Sequence, residues 1–118
     1  MEEFTITEKK QEDLIILYLN GFLDAHTSNL LEKKFEELLS RNCFKIVVNF
    51  TDLSYISSAG LGVFMAYIES MRNNNGDIKL SNMSFKIFNI FDMLGFPILF
   101  NIFKDESEAI NKFNETIQ

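Results

Sequence analysis

In a chain of 118 residues, His26 is the only imidazole and Cys43 the only thiol. These are the two side chains whose ordinary pKa values lie nearest neutrality, so most polar catalysis would have to run through one of them. A serine–histidine–aspartate hydrolase needs His26, yet no Gly-x-Ser-x-Gly elbow accompanies it. Its place beside Thr27, at an expected helix start, reads as a surface or capping residue. Cys43, flanked by Phe44 and by Ile46-Val47-Val48, reads as a small buried apolar residue, and a lone cysteine excludes an internal disulfide. One histidine and one cysteine leave no cluster for zinc. Gly60-Leu61-Gly62 fails as a dinucleotide fingerprint because Met65 stands where a third glycine or alanine is needed, and no Gly-Lys-Ser phosphate loop exists. The carboxylates fall on expected helix surfaces and turns rather than as an apolar-set pair. The expectation is a protein that is not an enzyme and needs neither cofactor nor metal.

One segment stands apart, Tyr55-Ile56-Ser57-Ser58-Ala59-Gly60-Leu61-Gly62-Val63. Two hydroxyls lie at the entry to a helix, among small residues, directly after an apolar strand. A purely structural account needs one serine to cap the helix and one small residue to let it approach the sheet. The doubled serine and the three small positions Ala59, Gly60 and Gly62 exceed that need, and the surplus suggests a surface where another protein comes close. Leu61 and Val63 favour the core.

The elements that would position this segment follow from hydrophobic periodicity. Phe4 and Ile6 alternate with threonines, the turn Gln11-Glu12-Asp13 follows, and Leu14 to Leu19 is a continuous apolar run, together an antiparallel hairpin. From Thr27 to Arg41, Leu30, Leu31, Phe35, Leu38 and Leu39 recur at helical spacing. Lys45 to Phe50 reads as a central strand and Thr51 to Ile56 as the connection to the next helix, whose Leu61, Phe64, Met65, Ile68 and Met71 share a face. Asn73-Asn74-Asn75-Gly76 should close that helix with the glycine left-handed. Asp77 to Leu80 is a short strand. Ser84 caps a helix with Ile87, Phe91 and Leu94 on one face, stopped by Gly95 and Pro97. Ile98-Leu99-Phe100 is the last strand candidate, and Asp105-Glu106 opens a helix with Ala109, Ile110, Phe113 and Ile117 inward. The result is one α/β domain spanning residues 1–118: a mixed, mainly parallel β-sheet with an N-terminal antiparallel hairpin and about four α-helices largely on one face.

Composition fits that architecture. Hydrophobic residues make up 47% and charged residues 24% of the chain, and the formal net charge is -6, so neither nucleic acid nor an anionic membrane surface is an expected partner. The uncharged stretch Ser54 to Ile68 is shorter than the ~20 apolar residues that cross a bilayer. The start Met1-Glu2-Glu3-Phe4 is acidic where a secretory signal is basic, so a soluble, cytoplasmic protein is expected.

At these residues the sequence resembles the STAS domain family, and within it the small single-domain anti-sigma factor antagonists. Gly21-Phe22-Leu23-Asp24 is similar to the family's G-x-L-D before the first helix. Ile46-Val47-Val48-Asn49-Phe50 with Asp52-Leu53-Ser54-Tyr55-Ile56 resembles its central strand and loop, Ser58-Ala59-Gly60-Leu61-Gly62 its signature helix start, and Phe91-Asp92-Met93-Leu94-Gly95 the end of its third helix. The resemblance implies a STAS-like fold and a partner-switching role. A serine kinase that is also the anti-sigma factor would phosphorylate Ser58, and a serine phosphatase would reset it. Unphosphorylated, the chain would bind that kinase and release the sigma factor. Asp24, Thr27, Ser57, Ala59, Gly60, Leu61 and Gly62 would form the binding surface. The sequence departs from the commonest pattern at Ser57, where many members have aspartate, and at Ala59, where many have serine or threonine, which leaves Ser57 as an alternative phosphosite. The competing reading is a STAS interaction module that is never phosphorylated, serving as a scaffold or transport-associated subunit.

Overall fold

The structure is a computed structural model, and it describes residues 3–115. Strands β1 (Thr5–Gln11) and β2 (Leu14–Leu23) form the expected antiparallel hairpin, turning at Glu12 with φ 57°. Helix α1 (Ser28–Ser40), strand β3 (Lys45–Ile56), helix α2 (Ser58–Asn73) and strand β4 (Asp77–Ser81) follow. Then come helix α3 (Phe85–Met93), the single turn α4 (Phe96–Leu99), strand β5 (Ile102–Phe103) and helix α5 (Glu106–Asn114). The sheet order is β1-β2-β3-β4-β5, with every pairing after the hairpin parallel.

Leu14 to Leu17 in β2 and Ile46 to Phe50 in β3 are buried without alternation, because both sheet faces are covered. Ile15, Leu17, Ile46, Val48, Ile78 and Leu80 point into the larger core under α1, α2, α3 and α4. Leu14, Ile16 and Val47 point to the other face, where Ala109 and Ile110 of α5 close a smaller core. Phe113 is half-buried beside them, and Ile117, expected in the same stripe, lies outside the described residues. The larger core is held by aromatic rings. Phe64 of α2 meets Phe35, Phe50, Phe91 and Phe100 at centroid distances of 5.9, 5.7, 6.2 and 6.4 Å, mostly edge to face as ring quadrupoles favour.

Six local expectations change. On α2, Met65 is exposed and does not join Leu61, Phe64, Ile68 and Met71 in the core. The run Ile98-Leu99-Phe100 is not a strand: Gly95, at φ 77°, turns the chain, and Pro97 starts one helical turn that buries Phe96 and Phe100 as stacked rings 5.3 Å apart. The last strand is therefore β5, two residues further on. Thr51 to Ile56 is not a connection but the continuation of β3, paired to β2 as far as Leu23↔Ile56. Asn75, not Gly76, takes the left-handed conformation at φ 65°; Gly76 is small because a Cβ there would overlap the Phe44 carbonyl. Leu94 ends α3 as its C-cap and faces solvent rather than joining Ile87 and Phe91. Leu30 is likewise exposed, while Leu31, Phe35 and Leu38 carry the buried stripe of α1.

Candidate functional site

The pairing Leu23↔Ile56 brings the carboxyl ends of two parallel strands side by side, and each runs at once into a helix start. In open sheets with parallel strands this rim is where backbone groups and side chains are free to meet a ligand or partner. Asp24 lies one residue beyond the first strand and Ser57 one residue beyond the second.

The α1 entry is a closed loop of hydrogen bonds. The half-buried Asp24 accepts at Oδ1 from the backbone N–H of His26 at 2.9 Å and of Thr27 at 3.2 Å, and from the Thr27 hydroxyl at 3.3 Å. Thr27 Oγ1 in turn accepts from the Asp24 N–H at 2.9 Å and lies 2.8 Å from the Phe22 carbonyl oxygen. Asp24 and Thr27 thus fix each other and the start of α1, a short-range arrangement that Asx side chains favour. His26 is exposed, and its backbone N–H takes part in this loop, in keeping with a surface residue.

At the α2 entry, Ser57 occupies the N-cap position with extended backbone, its N–H donating to the Leu23 carbonyl at 2.9 Å and its carbonyl accepting from the Leu61 N–H at 3.0 Å. Its hydroxyl does not cap the helix as expected; Oγ is buried and has no hydrogen-bond partner among the described residues. The strand-to-helix link to Leu23 does that positioning instead. Ser58 is the first helical residue and is exposed. Because the first intrahelical bond is Leu61 to Ser57, the N–H groups of Ser58, Ala59 and Gly60 precede the helical ladder, and the positive end of the helix dipole is directed at this rim.

The small residues divide. A Cβ on Gly60 would stand 2.8 Å from Leu23 Cγ and 3.0 Å from the Leu23 carbonyl oxygen, so Gly60 is buried to let α2 seat against β2. Gly62 has nothing within 4 Å of the corresponding point, faces solvent, and lies one helical turn after Ser58 on the same face. Ala59 is half-buried. Leu61 and Val63 are in the core, so Leu61 offers no side chain to a partner. The exposed platform is therefore Ser58, Gly62 and Met65, with Asp24 and Thr27 at the neighbouring strand end.

Sequence reasoning passed over one further feature. Phe22 and Tyr55 sit opposite each other in the β2–β3 register, their rings 5.9 Å apart, and are 41% and 42% exposed. Strand neighbours face opposite ways, so with Gly21 and Leu23 buried Phe22 is turned outward. These rings lie at the same rim on the sheet face away from Leu23 and Ile56.

Among the described residues no histidine, lysine or carboxylate hydrogen-bonds Ser57 or Ser58, and no group of three or more histidine, cysteine, aspartate or glutamate residues could hold a metal ion. No described helix is long and apolar enough to cross a membrane. The geometry offers an exposed hydroxyl at a helix N-terminus beside a rigid loop, an arrangement suited to carrying a charge and presenting a surface.

Known proteins of similar sequence and fold identify the family. The anti-sigma-B factor antagonist of Listeria monocytogenes is 26% identical over 101 residues, 86% of this chain and 89% of that protein. The anti-sigma-B factor antagonist of Bacillus subtilis is 28% identical over 94 residues, 80% and 85% respectively. The anti-sigma factor antagonist SpoIIAA superposes with TM-score 0.72 in its unphosphorylated form (20% identity; 97% of this chain, 100% of that one). Its phosphorylated form, described as a Bacillus cell fate determinant, superposes with TM-score 0.71 (22% identity; 94% and 99%). With the STAS domain family model matching residues 5–109 over this sheet order and this strand-to-helix rim, the chain belongs to the STAS domain family.

Proposed function

We propose that this protein is an anti-sigma factor antagonist whose affinity for an anti-sigma factor is switched by phosphorylation of Ser58. The observation that carries the reading is the exposed Ser58 hydroxyl at the first position of α2, on the open face that continues through Gly62. The similarity to named antagonists over most of the chain supports the partner class, a serine kinase that also sequesters a sigma factor. Ser57 is the weaker phosphosite because its Oγ is buried. A serine phosphatase would restore the binding form.

The physical basis is electrostatic. A phosphate on Ser58 adds about -1.5 to -2 charges at neutral pH. The N–H groups at the start of α2 offset part of that charge, so the modified domain stays folded. In a docked complex the same charge must lose water at a rim that already holds the Asp24 carboxylate. A penalty of ~3 kcal/mol lowers affinity about a hundredfold, enough to dissolve a micromolar complex.

The test is site-mapped mass spectrometry of the protein from its native cells, together with recovery of partners on tagged wild type, Ser58→Ala and Ser58→Asp. The expected result is phosphate on Ser58, with an anti-sigma kinase recovered on wild type and Ser58→Ala but not on Ser58→Asp. Equal recovery on all three, with no phosphate in any growth state, would leave an unswitched interaction module instead. Phosphate on Ser57 would keep the mechanism and move the site.

A further inference from the structure

The turn that follows α2 carries a side-chain amide that can react with its own backbone. The chain has two Asn-Gly steps, Asn20-Gly21 and Asn75-Gly76. In such a step the backbone nitrogen of the second residue can attack the asparagine side-chain carbon, and glycine has no side chain to shield that nitrogen. Which step reacts is decided by how readily the nitrogen leaves its hydrogen bond and swings onto the side chain.

The fold treats the two steps differently. Asn20 and Gly21 lie inside β2, between β1 and β3. Asn20 is level with Thr5 on one side and Asp52 on the other, and Gly21, level with Leu53, is buried. Asn75 and Gly76 lie beyond the end of α2. Asn75 is exposed and left-handed at φ 65°, and its side-chain amide makes no hydrogen bond among the described residues, whereas the Asn74 amide donates to the Ser70 carbonyl at 2.8 Å. The Gly76 N–H donates to the Met71 carbonyl at 2.9 Å. That bond is the outermost of α2. Helix ends open at the low end of the range of local stabilities, while a strand paired on both sides opens only with the sheet.

We propose that Asn75 is a site of spontaneous deamidation, gated by the opening of this terminal hydrogen bond, and that the sheet protects Asn20. The Gly76 nitrogen gives up its proton and bonds to Asn75 Cγ; the Cγ–Nδ2 bond breaks, and Nδ2 takes up a proton and leaves as ammonia. Water then opens the resulting succinimide. Attack at the side-chain carbon gives aspartate, and attack at the main-chain carbon gives isoaspartate.

Neither product suits the turn. Both set a carboxylate at the negative end of the α2 dipole, two residues from Asp77. Isoaspartate also lengthens the main chain by one carbon between two fixed points, the Asn75 N–H on the Arg72 carbonyl at 3.1 Å and the Gly76 N–H on Met71. Gly76 is packed on the Phe44 carbonyl and has no room to take up the difference. From this same turn the Arg72 side chain donates to Asp77 Oδ1 at 2.8 Å and to the Leu99 carbonyl, so loosening here reaches α4.

Ageing the folded protein at mildly alkaline pH, with peptide mapping by mass spectrometry and enzymatic carboxyl methylation of isoaspartate as readouts, tests this. Conversion at Asn75 is expected about a hundredfold faster than at Asn20, and the two should convert at similar rates in urea, where the fold no longer separates them. The isoaspartate form should show an unfolding equilibrium shifted about tenfold toward the unfolded state relative to fresh protein. Asn75→Gly, which keeps the left-handed turn without the side-chain amide, should neither convert at that position nor lose stability on ageing. Asn75 unchanged in the folded protein, whether or not Asn20 converts, would overturn the proposal. So would equal rates at the two steps in the folded protein, or an isoaspartate form as stable as fresh protein.

Discussion

Two glycines, two residues apart in the same helix, should respond to the same substitution with opposite sign. An alanine at Gly60 places its Cβ 2.8 Å from Leu23 Cγ, 3.0 Å from Ile56 Cγ1 and 3.0 Å from the Leu23 carbonyl oxygen. The leucine tip can rotate, but the carbonyl cannot retreat without giving up its hydrogen bond from the Ser57 N–H, the link that seats α2 on β2. Overpacking of this kind costs about 1–3 kcal/mol, and the better helix propensity of alanine returns about 1 kcal/mol, so Gly60→Ala should lose about 1 kcal/mol net. At Gly62 the new methyl meets nothing within 4 Å, so only the propensity gain remains and Gly62→Ala should be more stable by about 0.5–1 kcal/mol. With roughly 4 °C per kcal/mol for a domain of this size, the two variants should melt about 6–8 °C apart on either side of wild type. Urea unfolding followed by circular dichroism reads both, with unchanged slopes if only the native state is affected. Gly60→Ala as stable as wild type, or Gly62→Ala less stable, would refute the division of these glycines into one that seats the helix and one that faces out.

Four other outcomes follow from the same geometry. Gly62→Trp should leave the fold intact yet abolish recovery of the anti-sigma partner, since it fills the open face one turn from Ser58; retained recovery would remove Gly62 from the docking surface. Phe64→Ala empties the centre of the aromatic core and should cost about 3–5 kcal/mol by denaturant unfolding, whereas a loss under about 1 kcal/mol would mean the neighbouring rings collapse into the space. Thr27→Ala breaks the Asp24–Thr27 loop and should cost about 1 kcal/mol, readable as faster amide exchange at the start of α1. The fourth concerns acid. The Arg41 guanidinium, helped by Lys34, holds the Glu8 carboxyl at about 2 against an ordinary 4.5. A depressed carboxyl stabilises the folded state above its unfolded pKa and loses that contribution as pH falls through the folded value. Stability should therefore drop between about pH 4.5 and 2 by ~1 kcal/mol more in wild type than in Glu8→Gln, after allowance for the solvent around Arg41. Parallel acid titrations of the two proteins would contradict this.

The element order was legible in the chain because each element carries its own period. Three-to-four spacing marks α1 and α2, and unbroken apolar runs mark β2 and the first half of β3, whose residues face covered sheet surfaces on both sides. The Ser57-Ser58 segment stood out for a similar local reason, since hydroxyls and small residues at a strand-to-helix turn exceed what a cap requires. Other features depended on partners distant in sequence. Thr51 to Ile56 is strand because β2 runs alongside it, and Ile98-Leu99 is helix because Phe96 and Phe100 must both reach the Phe64–Phe91 cluster, one turn apart. Only the tertiary structure separated Gly60 from Gly62 and brought Phe22 to Tyr55. Local sequence specifies how often a side chain returns to one face, but what that face meets is decided by strand register and helix seating, which are set by the fit of the whole core.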